Sequence, residues 1–303
     1  MVEKKENPHK LFYWRSPRAV GEIQRQIAAS EYLIVYDLET TGFNPLCDRI
    51  IEFAAIRYRQ TDGILEENGK LHKYFRLPNG MTLPDEVSKL TGITYEKLAK
   101  EPQEADCIED ILFFIEDDPL IGYNNLHFDD LFLKQLFYRN AVQYNPQKTF
   151  DVFHMAHDFV GKIENYKLET VAEFYGIKAK QYHSAFSDAE VTAELLAKFM
   201  QCFQNGETAV FCGNKKPDIQ SITYWGKEEQ EEKDGRSKKR IYVNLVDDSA
   251  KIFYDIESGI WLTTSNEVDM SYIEQQCWEM IGAKNENEFR SFRSRKGKNT
   301  KVA

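Results

Sequence analysis

Asp37 and Glu39 stand two residues apart at the end of an apolar run, in the stretch LIVYDLETTGFNP. In an extended strand, side chains at i and i+2 point to the same face, so the two carboxylates converge on one place. Like charges at the end of a buried strand repel unless a cation or a proton compensates them. Hard divalent cations such as Mg²⁺ take oxygen ligands of this kind. Taken alone, an Asp-x-Glu pair suits a solvated strand end better.

Two further stretches carry related chemistry. In LIGYNNLHFDD a short strand runs into Asn124 and Asn125, and Asp129 follows Asn125 by four residues at a helix start, with Asp130 beside it. An acid there has a structural reason of its own, because a helix N-terminus favours negative charge, and either aspartate could serve as the cap. In HSAFSDAEVTAELL, His183 lies in a loop five residues before Asp188, which falls in the first turn of a long helix. That spacing lets both side chains reach one pocket. An imidazole with a pKa of about 6.5 suits proton transfer at neutral pH.

The order and spacing of these pieces resemble the DEDDh 3′–5′ exonucleases, the DnaQ-like group that includes proofreading subunits, RNase T and oligoribonuclease. The stretches YDLETTGFNP, DRIIEFAAI, LTGIT, LIGYNNLHFDDLFL and KLETVAEFYGI followed by HSAFSDAEVTAELL match that group's landmarks in order, over about residues 31–203. Ser184 stands where another branch of the superfamily carries Tyr, so the histidine branch fits. Many members have a His-Asn pair where this chain has Asn124-Asn125, but the Asn125-to-Asp129 spacing is kept.

The resemblance implies that Asp37, Glu39, Asp129 and Asp188 hold two divalent cations, Mg²⁺ or Mn²⁺. It implies that His183 is the general base on the attacking water, and that nucleoside 5′-monophosphates leave the 3′ end of DNA or RNA, most naturally a single strand. It further implies that Thr40, Thr41 and Gly42 touch the terminal nucleotide through backbone and hydroxyls, and that Asn125 orients a phosphate or Asp129. Phe43 fits either a base-stacking role or the core. The competing function is a non-catalytic adaptor that binds nucleic acid or protein through its C-terminal part; the intact acids and His183 argue against it. His154 and His157 in HMAH have the spacing of a metal pair, but no third ligand accompanies them and a helix surface is the expected place. No role is assigned to Glu52.

These residues need a frame. Strands are expected near 32–37, 49–59 and 70–76, with TDG as a turn between the last two. Helices follow near 85–91 and 103–117. A buried strand then precedes the helix FDDLFLKQLFYRN, a strand near KTFDVF precedes helices around 152–160 and 167–175, and a long helix covers about 186–203. The order points to an α/β fold, a mixed sheet covered by helices; the resemblance makes it an RNase H-like mixed five-stranded sheet. Residues 1–30 read as a lead-in with a helix capped by Ser16, residues 31–205 as the exonuclease domain, and residues 206–303 as a small α+β module. In that module IYVNLV, AKIFYDI and GIWLTT suggest a three-stranded meander, and MSYIEQQCWEMI a helix. The charged run 226–240 reads as an exposed loop. A basic tail carrying Arg290, Arg293, Arg295, Lys296, Lys298 and Lys301 could hold substrate, and the module could equally bind a protein partner.

The net charge of −10 argues against a general nucleic-acid binder but not against a site where cations stand between carboxylates and phosphates. No apolar run reaches the roughly 20 residues of a membrane span, and the charged N-terminus lacks the apolar segment of a secretory signal. Five widely spaced cysteines without a CxxC pair suggest neither a disulfide framework nor a zinc site, so a cytoplasmic setting is expected.

Overall fold

The computed structural model describes residues 11–115, 118–144, 148–161, 163–207, 213–225, 239–256, 258–293 and 300–301. Among them, the chain forms two compact units. The first begins within helix α1 (Pro17–Ala28), where Ser16 Oγ accepts the Ala19 N–H at 3.2 Å. Its strands are β2 (Tyr32–Thr40), β3 (Ile50–Thr61), β4 (Ile64–Tyr74), β5 (Leu120–Gly122) and β6 (Thr149–Asp151). Between and after them come α2 (Asp85–Thr91), α3 (Tyr95–Leu98), α4 (Ile108–Ile115), α5 (Asp129–Arg139), α6 (Val152–Phe159), α7 (Leu168–Phe174) and α8 (Ala185–Gln204).

The sheet order is β4-β3-β2-β5-β6. The first three strands pair antiparallel, and β5 and β6 join β2 in parallel. This is the mixed five-stranded sheet expected from the sequence. Its central strand is apolar on both faces because helices cover both. Leu33 and Val35 pack with α6 and α8 residues such as Met155 and Leu196. Ile34, Tyr36 and Leu38 pack with Ile111 of α4 and Phe132 of α5. Leu33, Ile34 and Val35 are fully buried, each worth about 1.5–3 kcal/mol of apolar burial. That rigid strand is what aims its C-terminal end.

The second unit is a six-stranded antiparallel sheet. It contains β1 (Phe12–Trp14), β7 (Ile219–Trp225), β8 (Arg240–Leu245), β9 (Ile252–Asp255), β10 (Ile260–Thr263) and β11 (Thr300–Lys301), in the order β1-β10-β9-β8-β7-β11. Helices α9 (Met270–Ile281) and α10 (Glu286–Arg290) complete it. The meander is present, but the sheet has three further strands. One of them, β1, pairs Phe12 with Thr263 and Trp14 with Trp261. Residues 1–30 are therefore not one lead-in. β1 belongs to this second sheet, whereas Val20 and Ile27 of α1 enter the core of the first unit. A three-residue strand is too short to leave a periodic signature.

Arg290 is likewise not part of a free tail. Its guanidinium lies 2.9 Å from Glu286 Oε1, and its Nε donates to Tyr254 Oη at 3.0 Å, beside the fully buried Phe289. Most of the 226–240 run and residues 294–299 lie outside the described residues. No described helix is long and apolar enough to cross a membrane.

Candidate active site

Asp37 and Glu39 share the α8-side face of β2 with Leu33 and Val35, as the two-residue repeat requires. In the register Asp37 lies opposite Ala54, and Glu39 opposite Glu52. Burial pushes Asp37 well above the usual carboxylate range, with the charges of Asp129, Asp188, Glu39 and Glu52 acting in the same direction. Burial, then Asp188 and Glu52, raises Glu39 to about 8. Asp129 is raised well above its ordinary value by burial first, then by Asp130, Asp151 and Glu39. Asp188 rises to about 7 through burial, opposed by the His183 backbone hydrogen bond and reinforced by Glu169 and Glu52. Four carboxylates from three elements thus repel one another across one small volume.

The loop after β5 brings in Asp129. Gly122 leaves the room: a Cβ there would lie 2.6 Å from the Asn125 Cβ. Asn125 is fully buried, and its Nδ2 lies 3.5 Å from Asp130 Oδ1. Asp130 also accepts a hydrogen bond from the Tyr36 hydroxyl. Neither Asp129 nor Asp130 caps α5; Phe128 stands at that position and makes no side-chain cap bond. Asp129 feels the charge of Glu39, whereas Asp130 is tied to Tyr36 and Asn125. Asn124 adopts a left-handed backbone, φ 61°, which asparagine tolerates better than most residues. Its N–H donates to Asp151 Oδ1 at 2.8 Å, and the same oxygen caps α6 by accepting the Phe153 N–H at 2.9 Å.

The third stretch closes the cluster. His183 also has a left-handed backbone, φ 60°, and its N–H donates to Asp188 Oδ2 at 3.1 Å. Ligand-capable atoms of Glu39, His183 and Asp188 all lie within 4.8 Å of one another. His183 Nε2 lies 3.4 Å from Glu169 Oε1 on α7. Asp188 Oδ1 is buried and has no hydrogen-bond partner among the described residues, and the same is true of Asn125 Oδ1.

The turn after β2 is held from within. Thr40 Oγ1 donates to the Gly42 carbonyl at 2.6 Å, and Thr41 Oγ1 donates to Asp48 Oδ1 at 3.1 Å while accepting the Arg49 N–H at 3.0 Å. Both hydroxyls expected to meet a nucleotide are therefore engaged in the loop. Gly42 is needed because a Cβ would fall 2.5 Å from the Asp48 carboxylate. Phe43 is 83% exposed, which removes it from the core; its edge meets the Phe128 ring at 6.1 Å. His154 departs from expectation too. It is buried, with Nδ1 3.7 Å from Asp151 Oδ2, because the apolar face of α6 turns it inward.

Sequence reasoning missed Asp48, Asp151, Glu169 and the surroundings of Glu52. Glu52 is 1% exposed, with Oε1 2.6 Å from His72 Nε2. An acid inside the apolar run IIEFAAI was the available signal.

A mixed sheet whose central strand ends in Asp-x-Glu, joined by an Asn-x₃-Asp junction and a His-x₄-Asp helix start, defines the DEDDh class within the RNase H-like fold. The chain belongs to the RNase T exonuclease family, whose model matches residues 34–196. The DNA polymerase III epsilon subunit of Aquifex aeolicus is 29% identical over 171 residues, covering 55% of this chain and 80% of that protein. The PolC-type DNA polymerase III of Oceanobacillus iheyensis is 30% identical over 185 residues, covering 61% of this chain but 12% of that protein. The chain thus spans a small part of the PolC-type polymerases it matches. Among solved structures, E. coli Exonuclease I with single-stranded DNA and zinc aligns with a TM-score of 0.52 at 20% identity, over 75% of this chain and 55% of that one. Exonuclease I with a dT13 oligonucleotide aligns over the same shares with a TM-score of 0.51 at 20% identity. That likeness is one of fold.

Proposed function

We propose that this protein is a divalent-metal-dependent 3′–5′ exonuclease that releases nucleoside 5′-monophosphates from the 3′ end of single-stranded DNA or RNA. The observation that carries the reading is Glu39, His183 and Asp188 with ligand-capable atoms within 4.8 Å of one another, Asp188 Oδ1 buried and unpartnered among the described residues, and Asp37 buried where the charges of Asp129, Asp188 and Glu39 raise it.

The donor set fits hard divalent cations. It offers carboxylate oxygens, no thiolate, and more negative charge than the site can hold ionised without a counterion. Asp37, Glu39, Asp129 and Asp188 would hold Mg²⁺ or Mn²⁺, as a pair, supplying a positive field for the charge that develops on the phosphodiester.

The remaining work falls to the chain's own groups. His183 takes the proton from the attacking water, with the Glu169 carboxylate 3.4 Å from Nε2 to orient the ring. Phe43 offers an exposed aromatic face to the terminal base. The hydroxyls of Thr40 and Thr41 give their protons within the loop, so they meet the terminal nucleotide as acceptors, together with the backbone of the Thr40–Gly42 turn. Asn125 holds the Asp129–Asp130 junction in place. Residues 31–205 carry the reaction, in a cytoplasmic setting. A single-stranded substrate is supported by the oligonucleotides bound to Exonuclease I, whose fold this chain shares.

The test is degradation of 3′-tailed single-stranded DNA and RNA in Mg²⁺ or Mn²⁺, run side by side. A ladder of shortened strands ending in 3′-hydroxyls, with nucleoside 5′-monophosphates released, is expected, and Asp37→Ala or His183→Ala should lower the rate by about 10²-fold or more. No laddering with either metal, or unchanged rates in those variants, would sink the reading.

A further inference from the structure

Glu52 is an acid buried in a β-strand beside four others, where it adds to the repulsion that already raises Asp37, Glu39 and Asp188. Like charges directly opposite each other on a sheet destabilise it, and Glu52 lies opposite Glu39. An apolar residue would fit the run IIEFAAI without that cost. The hydrogen bonds of Glu52 point to what offsets it. Oε1 is 2.6 Å from His72 Nε2 and accepts the Tyr74 hydroxyl at 3.0 Å, both from β4. Oε2 accepts the backbone N–H of Ala185, the first residue of α8, at 3.3 Å.

That last bond is long-range, and it replaces a local one. Helices ordinarily satisfy their first N–H groups with a side chain just before the helix. Ser184 stands at that position in α8 but makes no cap bond. Glu52 supplies one from the sheet instead. A second tie runs in parallel: the His72 ring stacks at 5.4 Å on Phe186, the next residue of α8, and lies 4.9 Å from Tyr74. The start of α8 is thereby fixed to β3 and β4. On that start depend Asp188, in its first turn, and His183, whose left-handed backbone is tied to Asp188 Oδ2. On the strand paired with β3 stand Asp37 and Glu39.

We infer that Glu52, held by His72 and Tyr74, is a positioning residue that sets the His183–Asp188 segment against the carboxylates of β2. The inference deepens the exonuclease reading and rests on it for its kinetic consequence. Its structural part, a carboxylate that caps α8 from a neighbouring strand, stands separately.

The experiment pairs steady-state hydrolysis of a 3′-labelled single-stranded oligonucleotide in Mg²⁺ with amide hydrogen exchange over residues 183–188. It uses the full chain and its Glu52→Ala, Glu52→Gln and His72→Phe variants. Misplacement of a reacting group by about 1 Å costs up to roughly 10²-fold, so Glu52→Ala should lower kcat by about 10- to 100-fold with KM within about threefold. It should also speed exchange at 183–188 and leave α5 unaffected. Gln keeps a carbonyl oxygen for the Ala185 N–H, so Glu52→Gln should stay within about threefold of the parent on both measures. His72→Phe keeps the ring packing but loses one hydrogen bond, and should fall between them; it serves if Glu52→Ala does not fold. Unchanged exchange in Glu52→Ala and His72→Phe overturns the proposal. So does a Glu52→Gln variant as impaired as Glu52→Ala, since that would make the charge, not the cap, the contribution. A parent protein without nuclease activity would refute the reaction instead, and the exchange data would still decide whether Glu52 anchors α8.

Discussion

Stripped of divalent cations, the protein should lose stability as pH rises from about 4 to about 8. Glu39 moves from 4.5 to about 8, and Asp188 from 3.8 to about 7; Asp37 and Asp129 are raised as well. A carboxyl with a raised folded-state pKa binds more protons folded than unfolded. Its contribution is complete below the unfolded value and is lost as pH climbs through the folded one. One group raised by about three units corresponds to roughly 4 kcal/mol. The four titrate as an interacting set, so the loss for the cluster is taken as that order rather than four times it. At about 2–4 °C per kcal/mol for a unit of this size, the melting temperature in EDTA should fall by roughly 8–16 °C across the window. Saturating Mg²⁺, at about 100 times its Kd, should restore roughly 2.7 kcal/mol. The restoration should be larger at high pH, because the ligands must be deprotonated to bind. Thermal melts in EDTA and in Mg²⁺ at several pH values measure both effects. Asp188→Asn removes one repelling charge and keeps an acceptor for the His183 N–H. It should melt higher than the parent in EDTA near pH 8 while losing activity. A flat or rising EDTA curve, an equal Mg²⁺ shift at both ends, or a lower-melting Asp188→Asn would refute the reasoning.

Phe43→Ala should raise KM by roughly 5- to 150-fold, the range of one base-stacking contact, and leave the melting temperature alone, since the ring is 83% exposed; a lowered melting temperature would return Phe43 to a packing role. Asp151→Ala strips the acceptor from the N–H groups of Asn124 and Phe153. At about 1–3 kcal/mol for each unsatisfied group, it should melt several degrees lower and turn over more slowly, with Asp151→Asn recovering most of the loss. Gly42→Ala places a methyl 2.5 Å from the Asp48 carboxylate. It should cost about 1–3 kcal/mol and raise KM, and wild-type melting would show that the loop absorbs the methyl freely.

The sheet and the acid cluster were legible because they rest on strong local rules. LIVYD-L-E alternates faces by twos once it is a strand, and His183 and Asp188 are separated by little more than one helical turn. What stayed hidden depends on long-range pairing. Glu52 meets Ala185 across 133 positions of chain, and Tyr36 meets Asp130 across 94. No periodicity encodes such distances. Phe43, left open between stacking and core, and His154, expected at the surface, depended on something other than periodicity. Residue type alone could not choose for Phe43 and suggested a helix surface for His154; the turn held by Asp48 exposes the one, and the inward face of α6 buries the other. In the second unit, β1 and β7 were missed because one is three residues long and the other adjoins the charged run.

The pairing of Phe12 with Thr263 has a consequence in time. A chain emerging from the ribosome at about 5–20 residues per second makes the two partners roughly 13–50 s apart. Throughout that interval β1 has no strand to join, and well before its end every residue of the nuclease sheet has been synthesised. All five strands of the first sheet are available once residue 151 has been made; the second sheet waits until Thr263. Stalled or prematurely ended synthesis would therefore yield molecules with an assembled acid cluster and an incomplete second sheet, its first strand waiting for a partner that never arrives.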